Sequence, residues 1–171
     1  MKQNGFVLIA SLIFLVIMTL LGVAMFKGYT MDQMMGGNLR EKSRSFDAAQ
    51  AALHTAEYWL SQPGNATNGV TCAGLGMASA PRVCSDTLLN PATLASWTDG
   101  VTYAPGSMMS VSSSGGSGTY AANPTYYIQF LGLDGSGASL YLITAAAQGG
   151  NANAVTVVQS AFKISTSSGS L

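Results

Sequence analysis

Very few side chains in this sequence could carry out acid–base or nucleophilic chemistry. The one histidine, His54, lies in an alanine-rich stretch and has no obvious carboxylate or cysteine partner at a catalytic spacing. We expect this histidine to face solvent or a partner protein. The sequence contains no phosphate-binding loop, no GxSxG elbow and no HExxH motif. It therefore predicts a protein that is not an enzyme, with no catalytic residues and no cofactor.

Cys72 and Cys84 are the second candidate for chemistry. They follow an apolar segment long enough to cross a membrane, so we expect an oxidising compartment and a disulfide between them. Two free thiols are the alternative, and zinc would need more ligands than His54 alone can add. Asp134 opens a DGSG sequence that offers one carboxylate, whereas a calcium loop needs several. We therefore expect a hairpin turn at Asp134 and no metal site.

The junction between Gly5 and Phe6 is a third candidate, because it could be a processing site. A short basic peptide ends at Gly5, and residues 6–26 then form an uncharged, apolar run. A helix over this run would be about 31 Å long, close to the hydrocarbon thickness of a bilayer. Such a run fits a cleaved secretory signal, a plain membrane anchor or a prepilin-type leader. The glycine directly before the apolar helix favours the prepilin-type leader.

A long helix is expected to carry these features towards a head domain. Phe46, Leu53 and Leu60 recur at helical spacing with alanines between them, which predicts one apolar face on an amphipathic helix. Pro63 should end this helix, and the glycine pair Gly36-Gly37 should interrupt or bend it. The predicted organisation is a leader at residues 1–5, a transmembrane or filament-core helix at 6–28, an amphipathic helix at 29–61 and a globular head at 62–171.

The head should end in an antiparallel β-meander at about residues 126–165. Residues 126–133, 140–147 and 154–164 are rich in β-branched and aromatic side chains, and clusters of turn-forming residues separate them. A fourth strand could lie near Val101 or Val111, and the serine-rich stretch 107–118 is expected to be a flexible loop. The predicted fold class is α+β, a long N-terminal helix packed against an antiparallel sheet of three or four strands.

Composition excludes one class of partner. Only 8% of the residues are charged, and seven basic residues balance seven acidic ones. Nucleic-acid binding relies on neutralising phosphates, so we expect no nucleic-acid partner. A surface so poor in charge tends to self-associate, which suits a subunit of an assembly.

The N-terminal motifs resemble one known family. The Gly5–Phe6 junction is followed by the apolar helix, by MGGNLR at residues 35–40 and by FDAAQAALHTAE at residues 46–57. This succession resembles type IV minor pilins of the PilX type over roughly residues 1–60. Gln50 stands where a glutamate is common in the family.

The resemblance implies that prepilin peptidase cuts after Gly5 and N-methylates Phe6. It also implies anchoring in the inner membrane with a periplasmic head, followed by assembly into the surface pilus beside other minor pilins and the major pilin. Most pilins carry a glutamate at the fifth mature position, which is Ala10 here. The missing carboxylate suggests a subunit at or near the tip that primes assembly, with a tip adhesin as a further possible partner.

Two other functions fit the same sequence. The head could be a tip-exposed adhesin or uptake module that binds a target through the loop closed by Cys72 and Cys84 and through residues 107–118. The chain could also be a tip pseudopilin of a type II secretion system. Those subunits usually carry a large insertion in the head, for which this chain leaves little room.

Overall fold

The computed structural model describes residues 4–114 and 118–165. The chain forms two compact units, Met1–Arg40 and Glu41–Leu171. One helix, α1, runs over Asn4–Ser61 and contributes residues to both units. The chain stays helical through Gly36 and Gly37, so this glycine pair does not break the helix, and the predicted bend stays a prediction.

The C-terminal end of α1 is closed by residues that directly follow it. The Asn65 side-chain amide donates a hydrogen bond to the Trp59 carbonyl at 2.8 Å, and the Gln62 N–H donates to the same carbonyl at 3.1 Å. These bonds satisfy a carbonyl that the end of a helix otherwise leaves open. Pro63 follows immediately, and α1 therefore ends close to the position that the sequence predicted.

The Glu41–Leu171 unit contains a six-stranded mixed sheet. Its strands are β1 (Met77–Ala78), β2 (Val83–Cys84), β3 (Gly100–Thr102), β4 (Thr125–Leu133), β5 (Ser139–Gln148) and β6 (Val155–Ile164). The order is β1-β3-β4-β5-β6, and β2 pairs with the middle of β4. The pairs β3–β4, β4–β5 and β5–β6 are antiparallel, whereas β1–β3 and β2–β4 are parallel.

Each face of the sheet is partly covered by other elements. Successive residues of a strand point to opposite faces, and the packing follows this alternation. On one face, Ile128 and Ile143 pack with Leu53 and Leu60 of α1. On the other face, Tyr127 and its neighbours pack with the disulfide loop and Trp97.

The predicted α+β fold, with its helix and antiparallel meander, is confirmed. The fourth strand near Val101 is present as β3, while Val111 forms only an isolated bridge to Tyr120. The two short parallel strands were not predicted. The β-period cannot be recognised in a strand of two residues. A single 3-10 turn at Gly106–Met108 lies in the serine-rich loop.

Phe46 corrects one expectation about the helix. Leu53 and Leu60 are buried under the sheet as predicted, but Phe46 is 43% exposed. Ser45 takes the buried position instead, and its hydroxyl bonds the Lys42 carbonyl at 2.9 Å and the Thr156 hydroxyl at 2.6 Å. The predicted leader residues 1–3, residues 115–117 of the serine-rich loop and the tail 166–171 lie outside the described residues.

Candidate functional site

The N-terminal part of α1 has the properties of a membrane-spanning segment. Within the described residues, one helix is long and apolar enough to cross a membrane, and its most apolar stretch is not buried by the rest of the chain. Two hydroxyls in this stretch bond to their own helix: Ser11 donates to the Leu8 carbonyl at 2.9 Å and Thr19 to the Val16 carbonyl at 2.8 Å. An unpaired hydroxyl would be costly in lipid, so these bonds make the stretch compatible with a bilayer.

The predicted processing and assembly residues lie at the start of this helix. Gly5 and Phe6 are both helical, and the Phe6 ring is 76% exposed. Ala10 is also exposed, one helical turn further on. The roles of these three residues stay predictions.

Glu41 and Arg44 tie the head to the helix. Arg44 donates from Nη1 to Glu41 Oε1 at 3.0 Å and from Nη2 to the Thr119 carbonyl at 2.6 Å, and its guanidinium lies 4.6 Å from the centre of the Tyr120 ring. The second carboxylate oxygen of Glu41 accepts a hydrogen bond from the Gly150 N–H. One ion pair thus holds two loops that follow it by 75 and 109 residues in the sequence.

The disulfide loop forms a lobe on the other face of the sheet. Cys72 and Cys84 are joined, with their Cα atoms 5.4 Å apart, and both residues are buried. Asp86 links the lobe to the sheet, because its carboxylate accepts the Cys72 N–H at 2.6 Å and its carbonyl accepts the Tyr127 hydroxyl at 3.0 Å. Burial, and then the nearby Asp86 carboxylate, raise the pKa of Tyr127, which keeps its hydroxyl protonated as a donor.

A second carboxylate, Asp99, orders the turn before β1. It accepts the Gly76 N–H at 2.7 Å and the Thr98 hydroxyl at 2.7 Å. Thr98, then the backbone at Gly76, lower the pKa of Asp99, while burial opposes them. The Arg82 guanidinium donates to the carbonyls of Gly76 and Gly100. These hydrogen bonds fix the conformation of a loop that has little regular secondary structure.

His54 has a carboxylate neighbour, Glu57, which was not predicted from the sequence although a spacing of three residues places two side chains on the same side of a helix. Its Nδ1 lies 3.1 Å from Glu57 Oε2, and Glu57 Oε1 accepts the Ser160 hydroxyl at 2.6 Å. The carboxylate therefore stands between the histidine and the serine, whereas nucleophilic triads place the histidine between the other two. His54 itself is exposed, as expected, and the arrangement links α1 to β6.

The DGSG sequence forms the predicted turn between β4 and β5. Asp134 Oδ1 accepts the N–H groups of Ser136 and Ala138 and the Ser136 hydroxyl, and Oδ2 pairs with Lys163. Lys163 first, and then Ser136, hold the pKa of Asp134 well below its usual range. A carboxylate used in this way completes a hairpin. Across residues 4–114 and 118–165, no group of three potential metal ligands comes together.

Comparison with protein families agrees with this architecture. A model described as PilX N-terminal matches residues 4–54, and a model described as Type IV pilus assembly protein PilX C-term matches residues 80–164. Searches among curated proteins and among solved structures gave no match. The two family matches together cover most of the helix and the head, so the chain belongs to the PilX family of type IV pilus assembly proteins, as a PilX-type minor pilin.

Proposed function

We propose that this minor pilin primes pilus assembly from a position at or near the tip. In this proposal the chain is cut after Gly5, methylated at Phe6 and held in the inner membrane by the apolar part of α1, with its head in the periplasm. It then enters the pilus together with other minor pilins and the major pilin and reaches the cell surface.

The observation that carries the proposal is Ala10. In most pilins the fifth mature residue is a glutamate that meets the N-terminal amine of a neighbouring subunit already in the filament. A carboxylate among apolar helices is costly unless such a partner neutralises it. A subunit that has no neighbour above it gains nothing from the carboxylate. An alanine at this position therefore favours the first subunit of the polymer.

Two further findings support the proposal, one from the structure and one from the family comparison. Ala10 is exposed on an apolar helix surface, where a neighbouring helix could reach it. The family models name type IV pilus assembly, which favours a pilus over a secretion pseudopilin. The PilX family supplies structural components of the pilus, and none of the residues described above forms a catalytic arrangement.

Substitution of Ala10 tests the tip position. With a gold label on the exposed Leu89, the unaltered chain should be seen at pilus ends. Ala10→Glu should reduce the number of pili per cell, because its carboxylate has no amine to meet and costs several kcal/mol in an apolar setting. Ala10→Gln, which is polar but uncharged, should reduce it less. Labelling along the whole shaft, together with an unchanged pilus number in Ala10→Glu, would refute the tip role.

A further inference from the structure

The outermost strand of the sheet, β6, is long and unprotected on one side. Among the described residues it pairs only with β5, over all ten of its residues. The opposite edge is built differently, because it consists of β1 and β2 with two residues each and β3 with three. One edge is thus broken into short pieces, which prevents strand addition, while the other offers a full-length strand.

The hydrogen bonds at both ends of β5 show which backbone groups of β6 point outwards. The Gly149 N–H donates to the Ala154 carbonyl at 2.9 Å, and the Asp134 N–H donates to the Ala138 carbonyl at 2.8 Å. Direct pairs alternate along an antiparallel ladder. The Gly149 N–H therefore points to β6 and the Ala138 carbonyl to β4, so the odd-numbered residues of β5 bond to β6. In the register of the two strands, these residues lie opposite the even-numbered residues of β6. The outward N–H and C=O groups belong to the odd-numbered residues Val157, Gln159, Ala161 and Lys163.

An exposed part of α1 lies beside this edge. The Lys42 ammonium donates to the Val155 carbonyl, the first outward acceptor, and Glu57 accepts the Ser160 hydroxyl. Phe46 follows Lys42 by four residues, which places it on the same side of the helix between these two contacts. Phe46, which is 43% exposed, therefore lies on the side of the helix from which Lys42 and Glu57 reach β6.

The devices that usually protect an edge strand are absent from β6. Proteins protect such edges with proline, with charges or with bulges. β6 contains no proline, its one charge is the Lys163 ammonium already paired with Asp134, and the bulge of the sheet lies in β4. Within β6 itself, side chains therefore do little to keep another strand away, and Lys42 of α1 occupies only the first outward carbonyl, that of Val155.

We propose that β6 accepts an extended segment of another pilus subunit, which adds to the sheet as a seventh strand. The segment would bond to the outward groups of Val157, Gln159, Ala161 and Lys163 and place an apolar side chain against Phe46. Main-chain bonds supply the affinity in such strand addition, and the adjoining side-chain contacts supply the specificity. That the partner is a pilus subunit rests on the proposed function in pilus assembly.

A second copy of this chain fits the edge less well. Two β6 strands paired antiparallel would hold their Glu41–Ser61 helical segments antiparallel too. The apolar residues precede Glu41 in each chain, so the two Glu41 ends would lie at opposite ends of such a pair. This antiparallel pair suits two chains anchored in one membrane poorly, so the occupant that we propose is a segment of a different subunit, and a second copy is an outcome of the test.

Photo-crosslinking in piliated cells tests this proposal with the full chain. Benzoylphenylalanine at Gln159 should form an adduct with another pilus subunit, whereas the same probe at Leu131, exposed on β4, should not. Adding Ala161→Pro removes one outward N–H without touching the bonds to β5, and it should lower the adduct yield at least about tenfold. Ala161→Ser keeps this N–H and should preserve the adduct. Migration of the Cys72–Cys84 disulfide form on non-reducing gels checks that each variant folds.

Each alternative outcome overturns the proposal. A Gln159 adduct made of two copies of this chain would identify a homotypic edge, and no adduct would show an unoccupied edge. An adduct that survives Ala161→Pro would come from a contact that does not use the strand. Counting pili in cells that lack this chain tests the priming role separately, because an unchanged number would refute priming whatever the adducts show.

Discussion

Two glycines in the β5–β6 turn allow the head to approach α1 closely. A Cβ atom on Gly149 would lie 2.7 Å from the Glu41 carbonyl oxygen, and one on Gly150 would lie 2.8 Å from Glu41 Oε2. The first of these neighbours is helix backbone, which cannot move aside without shifting α1. Gly149 is therefore needed for the Glu41–Arg44 connection.

Gly149→Ala should lower the free energy of unfolding by about 1–3 kcal/mol, the usual cost of forcing extra atoms into a packed site. Thermal unfolding of the full chain in detergent micelles, followed by tryptophan fluorescence, measures this loss. Gly135→Ala in the β4–β5 turn is the matched control, because a Cβ there meets nothing within 4 Å. Equal stability of the two variants would disprove the close contact.

Asp134 should make the stability of the head depend on pH. Its pKa is lowered in the folded chain, first by Lys163 and then by Ser136, so its carboxylate stabilises the fold above the unfolded pKa of about 3.9. This contribution is lost as the pH falls through the lower, folded pKa. The unfolding temperature of Asp134→Asn should therefore lie below that of the natural chain at pH 7.

The two unfolding temperatures should approach each other as the pH falls below the unfolded pKa of about 3.9, and they should become equal only below the lowered pKa of the folded chain. Asp47→Asn, on the exposed side of α1, serves as the control and should not change the shape of the pH curve. A constant difference between Asp134→Asn and the natural chain at all pH values would contradict the role of the charge.

At the scale of the elements, the disulfide lobe replaces regular structure on one face of the sheet. β2 contains two residues, and the lobe also contains a 3-10 turn of three residues at Leu94–Ser96. Cys72, Cys84, Trp97 and Tyr127 nevertheless form a buried cluster. The covalent bond compensates for the few backbone hydrogen bonds that such short elements provide.

Replacement of both cysteines by serine should cost about 3 kcal/mol of stability, as expected for the small loop that the disulfide closes. The same loss should follow when the natural chain is unfolded and refolded in a reductant, which reaches the sulfurs once the lobe opens, while the double variant should not respond to it. Unfolding curves with and without reductant give both values. A double variant as stable as the oxidised chain would show that the lobe packs without its bond.

The sequence predicted the long elements well and the irregular contacts poorly. β5 and β6 were found because each is a run of β-branched and aromatic residues between clear turn signals. Phe46 was assigned to the core from spacing alone. It lies at the margin of the buried face of the helix, whereas Ala52 and Ala56 lie near the centre of that face. Arg44 was missed because its partner Thr119 follows 75 residues later, a separation that no local pattern reports.

At the scale of the whole molecule, the chain combines an apolar helix with a head that contains few charged residues. Seven basic and seven acidic residues, several of them in internal pairs, leave little for long-range attraction. Salt screens charges but not apolar contacts. Attachment to membranes and to neighbouring subunits should therefore depend on the apolar surface of α1.

Washing membranes with about 1 M salt, which reduces the screening length to about 3 Å, should leave the chain bound. Detergent should release it. Immunoblots of the wash and the pellet measure the two fractions, with a salt-released peripheral protein as the control. Release by salt alone would contradict anchoring through the apolar helix.

The buried disulfide also sets the order in which this protein can mature. The residues that carry the two sulfur atoms are 0% and 1% exposed under Trp97 and Tyr127, so an oxidant cannot reach them once the lobe has closed on the sheet. Oxidation must therefore precede the last packing step. A head that closes in this order finishes folding only where an oxidant is present, so its last packing step depends on the redox state of the compartment in which it folds.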